Sequence, residues 1–477
     1  MTKKTPKRGI PMKCYDAKSL YPSIMVECKY PIAPFQRVKN PDKQKFEHEV
    51  RMGCNAVIAR VAIINLELKD EYEPVPYVSK SKVRSLVGCG SVSRFTRNGT
   101  EELKQSPYTG EEDNGRIRAC RYCECDITDI DASIMFWGDN AQYKFYDMEV
   151  IDMWVSKYDY LPDEIRNYII ELFKAKEEFD GIPEKKDERQ RAKIRINSIF
   201  GLFLTDMMKD PVVWDVEEDD WKVIHESDKP IALRVDDYYE VCKKTLLVPR
   251  IGLFVCCHGR ARLQMLIDAI KNDYPGSAAD ALYCDTDSCF VANPEKHQKA
   301  IDDLNEKLKA IAIEHGMTAT NKNGETLYGG CFYLDKEGSF VAAGAKKYAY
   351  EKDGKVTLTL AGVPKAAGSL ELQEAGGLAA FQPGMTFHAG KLRPVYHTKD
   401  SYGTVEVTDH NGVKGTVEVT SNVKLVDVEY KLGYGKTYGN VLAAAKRGDL
   451  EPLHKMLEDA EKDAMIEEYY RVRHIIE

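Results

Sequence analysis

The sequence predicts an α+β fold in more than one lobe, and three observations carry that prediction. Runs rich in β-branched residues, "CNAVIARVAIINL" at 54–66 and "GRIRACRYCECDITDI" at 115–130, alternate with period two as strands do. Further on, the apolar residues switch to helical spacing at Ile165, Tyr168, Ile169, Leu172 and Phe173. The chain has 477 residues, and single cores stop growing near about 250–300.

Composition narrows the class. With 43% hydrophobic and 30% charged residues the chain reads as a soluble globular protein. No apolar run approaches the roughly 18–20 residues that span a bilayer, so no membrane partner is expected. The N-terminus "MTKKTPKRGIP" is basic but has no apolar stretch behind it, which argues against a secretory signal and for a cytoplasmic location. Thirteen cysteines, odd in number and scattered, read as reduced thiols. A net charge of −8 gives no global reason to expect a polyanion, so any nucleic-acid surface must be local.

Along the chain, "YDAKSLYPSIM" at 15–25 sets a carboxylate, a small-residue turn, an aromatic and a Pro almost at the start. Residues 31–156 follow as a β-rich insertion interrupted by the polar loop 97–115. "LPDE" at 161–164 starts a helix and "DGIP" at 180–183 stops it. The next pattern, "EKKDERQRAKIRINSIFG", makes a second helix and hence an antiparallel helical hairpin. Residues 204–247 are acidic and aromatic without a period, and 250–350 return to alternating helix and strand. "TVEVT" at 404–408 and again at 416–420, around Asn411-Gly412, reads as a β-hairpin. From residue 440 the chain looks helical and charged.

Four stretches carry chemistry. In "ALYCDTDSCFV", Asp285 and Asp287 flank a Thr inside a strand-like run, where two carboxylates are costly to desolvate unless a cation neutralises them. Oxygen ligands without His favour Mg²⁺ or Mn²⁺; the plainer alternative is an exposed Asp-Thr-Asp turn. Asp16, at a predicted strand end before a sharp turn, supplies a third carboxylate for a two-metal site of the phosphoryl-transfer kind. In "RQRAKIRINSIFG", Arg189, Lys193, Asn197 and Phe200 fall on one helical face. Two cations, an amide and an aromatic there suit a nucleoside triphosphate, against the plainer reading of a solvated basic face with Phe200 in the core. "GAKKYAY" at 344–350 sets Lys346 and Lys347 before Tyr348 in a strand-like setting that suits a phosphate backbone.

Taken in order, "DAKSLYPSI", "KIRINSIFG", "YCDTDS" and "KKYAY" resemble the motifs of family B DNA polymerases. The likeness extends towards phage members of the protein-primed branch and covers about residues 9–435, with "TLAGVPKAAG" and "FHAGKLRPV" similar to that branch's small thumb. The resemblance implies a right-hand architecture with an antiparallel palm sheet. Residues 1–30 and 248–355 would form the palm, 31–156 a first palm insertion, and 157–203 the two-helix fingers. Residues 204–247 would form a second insertion, 356–436 the thumb and 437–477 a helical tail.

The same resemblance assigns roles. Asp16 and Asp287 match the principal metal-binding carboxylates, Asp285 the secondary one, and Ala17 lends a carbonyl to the metal. The backbone around Ser19 and Leu20 would cradle the triphosphate, and Tyr21 matches the steric gate that excludes a ribose 2′-hydroxyl. Lys193 and Asn197 face the incoming nucleotide, with Arg189 or Lys174 as further phosphate contacts. Lys346, Lys347 and Tyr348 fall in the motif that holds the primer end. The implied cofactor is a pair of Mg²⁺ ions, for which Mn²⁺ can substitute. The implied partners are template-primer DNA, deoxynucleoside triphosphates, a separate exonuclease polypeptide and a terminal priming protein.

Two departures stand out. The fingers aromatic, usually Tyr, is Phe200 here, which keeps the stacking face and loses a hydroxyl. No proofreading exonuclease motif precedes Asp16, so the chain looks like the polymerase half of a divided or truncated gene. The competing expectation is a catalytically incompetent DNA-binding or assembly subunit, active only with a separate exonuclease chain. A zinc site at Cys120, Cys123 and Cys125, completed by Cys54 or Cys89, is disfavoured because no second close pair exists and the segment already reads as a strand.

Overall fold

The computed structural model describes residues 9–70, 73–87, 92–96, 99–102, 116–204, 212–215, 220–223, 230, 233, 237, 249–344, 346–382, 385–388, 404–408, 414–418 and 429–431. The chain divides into two compact units, the larger within residues 14–106 and 115–335, the smaller within 1–13 and 336–462.

The larger unit starts inside strand β1 (Ile10–Ala17), which buries Cys14, Tyr15 and Ala17 and leaves Asp16 half-buried. Helix α1 (Leu20–Glu27) follows after two residues, apolar almost all round, as a helix inside a core must be. Seven of its eight residues are buried, and the exception is Tyr21.

The β-rich insertion is an antiparallel sheet. Strand β2 (Asn55–Leu68) lies between β3 (Ala119–Thr128) and β4 (Asp147–Asp159), with Val61 opposite both Cys125 and Val150. Tyr30–Pro31 pairs with β4, so the sheet runs a little beyond the expected 31–156 at each end. Helix Lys43–Met52, which the strand-rich pattern did not announce, plugs the core with Phe46. Cys120, Cys123 and Cys125 sit in that core opposite Leu66, Ile63 and Val61. Among the described residues no group of His, Cys, Asp or Glu side chains is arranged to hold a metal.

One carboxylate in this lobe is a pH handle. Asp129, just past β3, accepts the Val57 N–H at 2.8 Å and the Tyr158 hydroxyl at 2.7 Å, yet burial pushes its pKa up to about 6. The folded state therefore holds a proton that the unfolded chain releases, so stability falls as pH rises from about 4 to 6 and stays lower above. Asp129→Asn keeps an acceptor for Val57 and carries no charge. It should be more stable than the parent by up to about 3 kcal/mol at pH 7.5, with the advantage gone near pH 4. Urea melts at the two pH values measure this.

Helices α2 (Asp163–Glu178) and α3 (Lys186–Phe203) form the expected hairpin. Ile169, Leu172 and Phe173 face the core as their spacing requires, but Tyr168 is 42% exposed, at the edge of the apolar stripe. Helix α4 (Pro249–Lys271) crosses the same core through Phe254, Val255, Leu266, Ile267 and Ile270. Strands β5 (Ala281–Asp285) and β6 (Ser288–Ala292) form a hairpin beside β1, and α5 (Pro294–Glu314) follows. "ALYCDTDSCFV" is thus not one strand. Thr286 and Asp287 make the turn, because the Asp-Thr-Asp turn chemistry outweighs the apolar flanks. The hairpin is pinned at its base. Asp280 accepts from Asn293 Nδ2 (2.9 Å) and the Tyr274 hydroxyl, and the buried His297 ring spans Asp280 (3.0 Å) and Asp273 (2.9 Å).

Within 204–247 the described residues include one short hairpin, Val212–Asp215 with Asp220–Val223.

In the smaller unit, strand β7 (Phe332–Gly344, from residue 336 onward) pairs with β8 (Lys347–Lys352), which pairs with β9 (Lys355–Leu360). Helix α6 (Lys365–Glu374) adds Leu372 to the core that holds Val341, Ala349 and Leu358. Within "GAKKYAY", Gly344 ends β7, Lys346 is left-handed at φ 56° and Lys347 starts β8. Thr404–Thr408 pairs with Lys414–Glu418, so the second hairpin strand begins two residues before the second "TVEVT". "GKLRPV" and residues 437–477 lie outside the described residues. No described helix is long and apolar enough to cross a membrane.

Candidate active site

The site grows from the end of β1. Ala17 donates its N–H to the Asp287 carbonyl at 2.8 Å, which ties the strand end carrying Asp16 to the turn carrying Asp287. Lys18 donates to the Cys331 carbonyl (2.9 Å) and accepts from the Gly330 N–H (2.8 Å), so the backbone after Asp16 is held from both sides. Ser19 then adopts a left-handed conformation, φ 49° and ψ 51°, which a residue with a Cβ tolerates only when its surroundings enforce it. Its carbonyl accepts from the Ser23 N–H (3.0 Å) and hydroxyl (2.9 Å), starting α1. Pro22 in that first turn forfeits no helical bond.

Asp16, Asp285 and Asp287 are all half-buried rather than sealed in the apolar run, Asp285 as the last residue of β5 and Asp287 in the turn after it. Asp285 also caps its own turn, accepting the Thr286 N–H at 3.0 Å.

Tyr21 faces this turn. Burial pushes its hydroxyl up to about 12, helped by Cys256, Asp287 and Asp285 and opposed by Arg260, so both acids of the hairpin lie within electrostatic reach of the phenol. Its ring stacks on Phe200 with centroids 3.9 Å apart and planes 18° apart. That contact joins α3 to α1 across the chain. It leaves no room for a base between the rings, so Phe200 stacks on Tyr21 where the sequence suggested a nucleotide partner. Gly259 on α4 makes room for the same ring, since a Cβ there would stand 3.0 Å from Tyr21 Cε1.

The cations are distributed differently from expectation. Arg189 lies against Asp180 (Nε–Oδ1 2.8 Å) and is occupied by the interhelical turn. Lys193 and Asn197 are exposed, on the α3 face beside buried Ala192 and Ile196. Lys174 points to solvent, whereas Lys176 donates to Ser19 Oγ at 2.7 Å and to Glu177 at 2.8 Å. Lys18 joins Glu177 at 3.4 Å, so one buried carboxylate gathers two lysines at the turn. The sequence carried a signal for these missed residues. Lys176 and Glu177 continue the stripe Ile169, Leu172, Phe173, and a charge on an apolar stripe needs a partner. Leu20 is buried, so only its backbone is offered to a ligand. Lys346, Lys347 and Tyr348 belong to the smaller unit, where Tyr348 is buried against Phe340.

No protein-family model and no curated protein matches the sequence. Among solved structures the chain is similar to Phi29 DNA polymerase complexed with primer-template DNA and incoming nucleotides, at TM-score 0.48 and 15% identity over 89% of this chain and 58% of that one. It is likewise similar to that polymerase in a binary complex with primer-template DNA (TM-score 0.49, 17% identity) and with single-stranded DNA (TM-score 0.49, 16%). The chain spans 58% of the length of these neighbours. A likeness at this level fixes no activity.

Proposed function

We propose that the chain is a template-directed DNA polymerase that adds deoxynucleotides to a 3′-hydroxyl. The single observation that carries this is the 2.8 Å bond from Ala17 N–H to the Asp287 carbonyl, which brings the first-motif strand end and the Asp-Thr-Asp hairpin side by side. Asp16, Asp287 and the Ala17 carbonyl offer only oxygen donors, and two carboxylates completed by water and phosphate suit Mg²⁺ or Mn²⁺. A bound pair of such ions would supply the acidity that activates the 3′-hydroxyl and stabilise the pyrophosphate leaving group.

The chain's own residues do the rest. The first-turn amides of α1, at Leu20 and Tyr21, point their positive end at the triphosphate. Lys176 and Lys18 add charge beside them, held in register by Glu177. Lys193 and Asn197 close on the nucleotide from α3, with Arg189 free to help once it leaves Asp180. Phe200 lifts from Tyr21 to admit the base, and the Tyr21 ring then bars a 2′-hydroxyl. Gly259→Ala should push that ring and lower discrimination against ribonucleotides about tenfold. Competing incorporation of matched ribo- and deoxynucleotides measures this. Asp285 tunes the turn, and Lys346, Lys347 and Tyr348 grip the primer end. The proposed setting is phage DNA replication, with a separate exonuclease chain and a terminal priming protein as partners.

A second reading, a non-catalytic DNA-binding or assembly subunit, is favoured by one observation: the Tyr21 and Phe200 rings stack 3.9 Å apart, where the polymerase reading needs room for a base. Primer extension on a primed single-stranded template with Mg²⁺ separates the two. Extension that EDTA abolishes supports the polymerase. Its absence from folded protein, even with a candidate exonuclease chain and a priming protein added, supports the subunit.

A further inference from the structure

The hairpin that carries Asp285 and Asp287 also carries two thiols with no part in the proposed reaction. Cys284 and Cys289 stand directly opposite each other, one step below the Asp285–Ser288 pair that flanks the turn. Their sulfurs are 3.3 Å apart, both reduced. In a hairpin with a two-residue turn, the pair next to the flanking one is non-hydrogen-bonded, with Cα atoms about 4.5 Å apart. That separation lies inside the range of about 4.4–6.8 Å that a disulfide bridges.

The two thiols differ in access. Cys284 is half-buried, while Cys289 is fully buried with its thiol pushed well up, first by the contact with Cys284 and then by burial. Cys14 on β1 lies within electrostatic reach of Cys289. An oxidant from solvent meets Cys284 first, and Cys289 is placed to resolve the product.

We propose that Cys284 and Cys289 are an oxidative modification site, a dithiol that hydrogen peroxide closes to a disulfide across the hairpin. The Cys284 thiolate takes one oxygen from peroxide, giving a sulfenic acid and hydroxide. The Cys289 sulfur then attacks Cys284, forming S–S and breaking S–O, and the hydroxyl leaves with the thiol proton as water. Two electrons pass from the thiols to peroxide, and two thiols plus one peroxide give one disulfide and two waters. A dithiol reductant reverses it.

Closure draws the sulfurs from 3.3 Å to about 2.0 Å, in strands whose next residue is Asp285 and whose turn is Asp287. An ångström of misplacement can cost about 10²-fold in rate. This consequence for activity rests on the polymerase reading; the chemistry of the pair does not.

The test uses the full chain exposed to hydrogen peroxide, alkylated and digested with trypsin. Both cysteines fall in one tryptic peptide, residues 272–296. The expected product is that peptide two hydrogen masses lighter and resistant to alkylation, with primer extension down about 10²-fold and restored by dithiothreitol. Cys284→Ser should extend normally and ignore peroxide. A 272–296 peptide that stays fully alkylatable while the exposed Cys54 oxidises overturns the proposal, as does a bridge from Cys289 to Cys14. A disulfide formed without loss of extension overturns the effect on activity. If the reduced protein never extends a primer, the polymerase reading fails while the peptide mass still decides the pair.

Discussion

Replacing Asp287 by Asn should abolish nucleotide incorporation, lowering the rate of primer extension by at least about 10³-fold, or about 4 kcal/mol of barrier. The side chain keeps its size and the Asp287 carbonyl still accepts from Ala17, so the hairpin and β1 stay joined. What changes is one negative charge at the turn, where a divalent cation would need it. Asp285→Asn should cost far less, because that carboxylate is engaged by the Thr286 N–H. Single-turnover extension with Mg²⁺, alongside an unchanged thermal melt, measures both. Equal activity in Asp287→Asn would remove this acid from the chemistry.

Replacing Arg262 by Ala should destabilise the protein by about 3–5 kcal/mol, the typical cost of breaking a buried ion pair from one side. Arg262 on α4 donates to Glu27 at the end of α1 at 2.7 Å and to the Gly330 carbonyl at 3.2 Å, with both side chains almost wholly buried. Burial already pushes the Glu27 carboxyl up against the pull of Arg262, and one of its oxygens has no hydrogen-bond partner. Without the guanidinium that carboxylate is left charged in the core or takes a proton. The double replacement Arg262→Met with Glu27→Gln should recover most of the loss, since a neutral pair has no charge to desolvate. Urea denaturation midpoints at constant slope test both variants.

Local signals were legible where they were redundant. The helical hairpin of α2 and α3 carried start, stop and apolar period together, and its boundaries followed. Tyr168 shares the helical spacing yet lies exposed, because a stripe of about 100° has soft edges. In "ALYCDTDSCFV" the strand-like run and the Asp-Thr-Asp turn are competing readings of one stretch, and the pairing of Asp285 with Ser288 selects the turn. Lys174, the phosphate contact that the resemblance implies, points to solvent, whereas the apolar stripe continues to Lys176.

By itself the sequence determined the order of the motifs, the identity of the acids and the elements that bear them, because capping, turn chemistry and hydrophobic period act over a few residues. Only the tertiary structure decided which groups meet: Ala17 with Asp287, Phe200 with Tyr21, Lys176 with Ser19, and Cys284 with Cys289 at 3.3 Å rather than on separate ends of a strand. Apart from the cysteines across their turn, these contacts span more than a hundred residues of chain. No local preference encodes such a distance; it follows from how the apolar faces of α1, α2, α3 and α4 share one core.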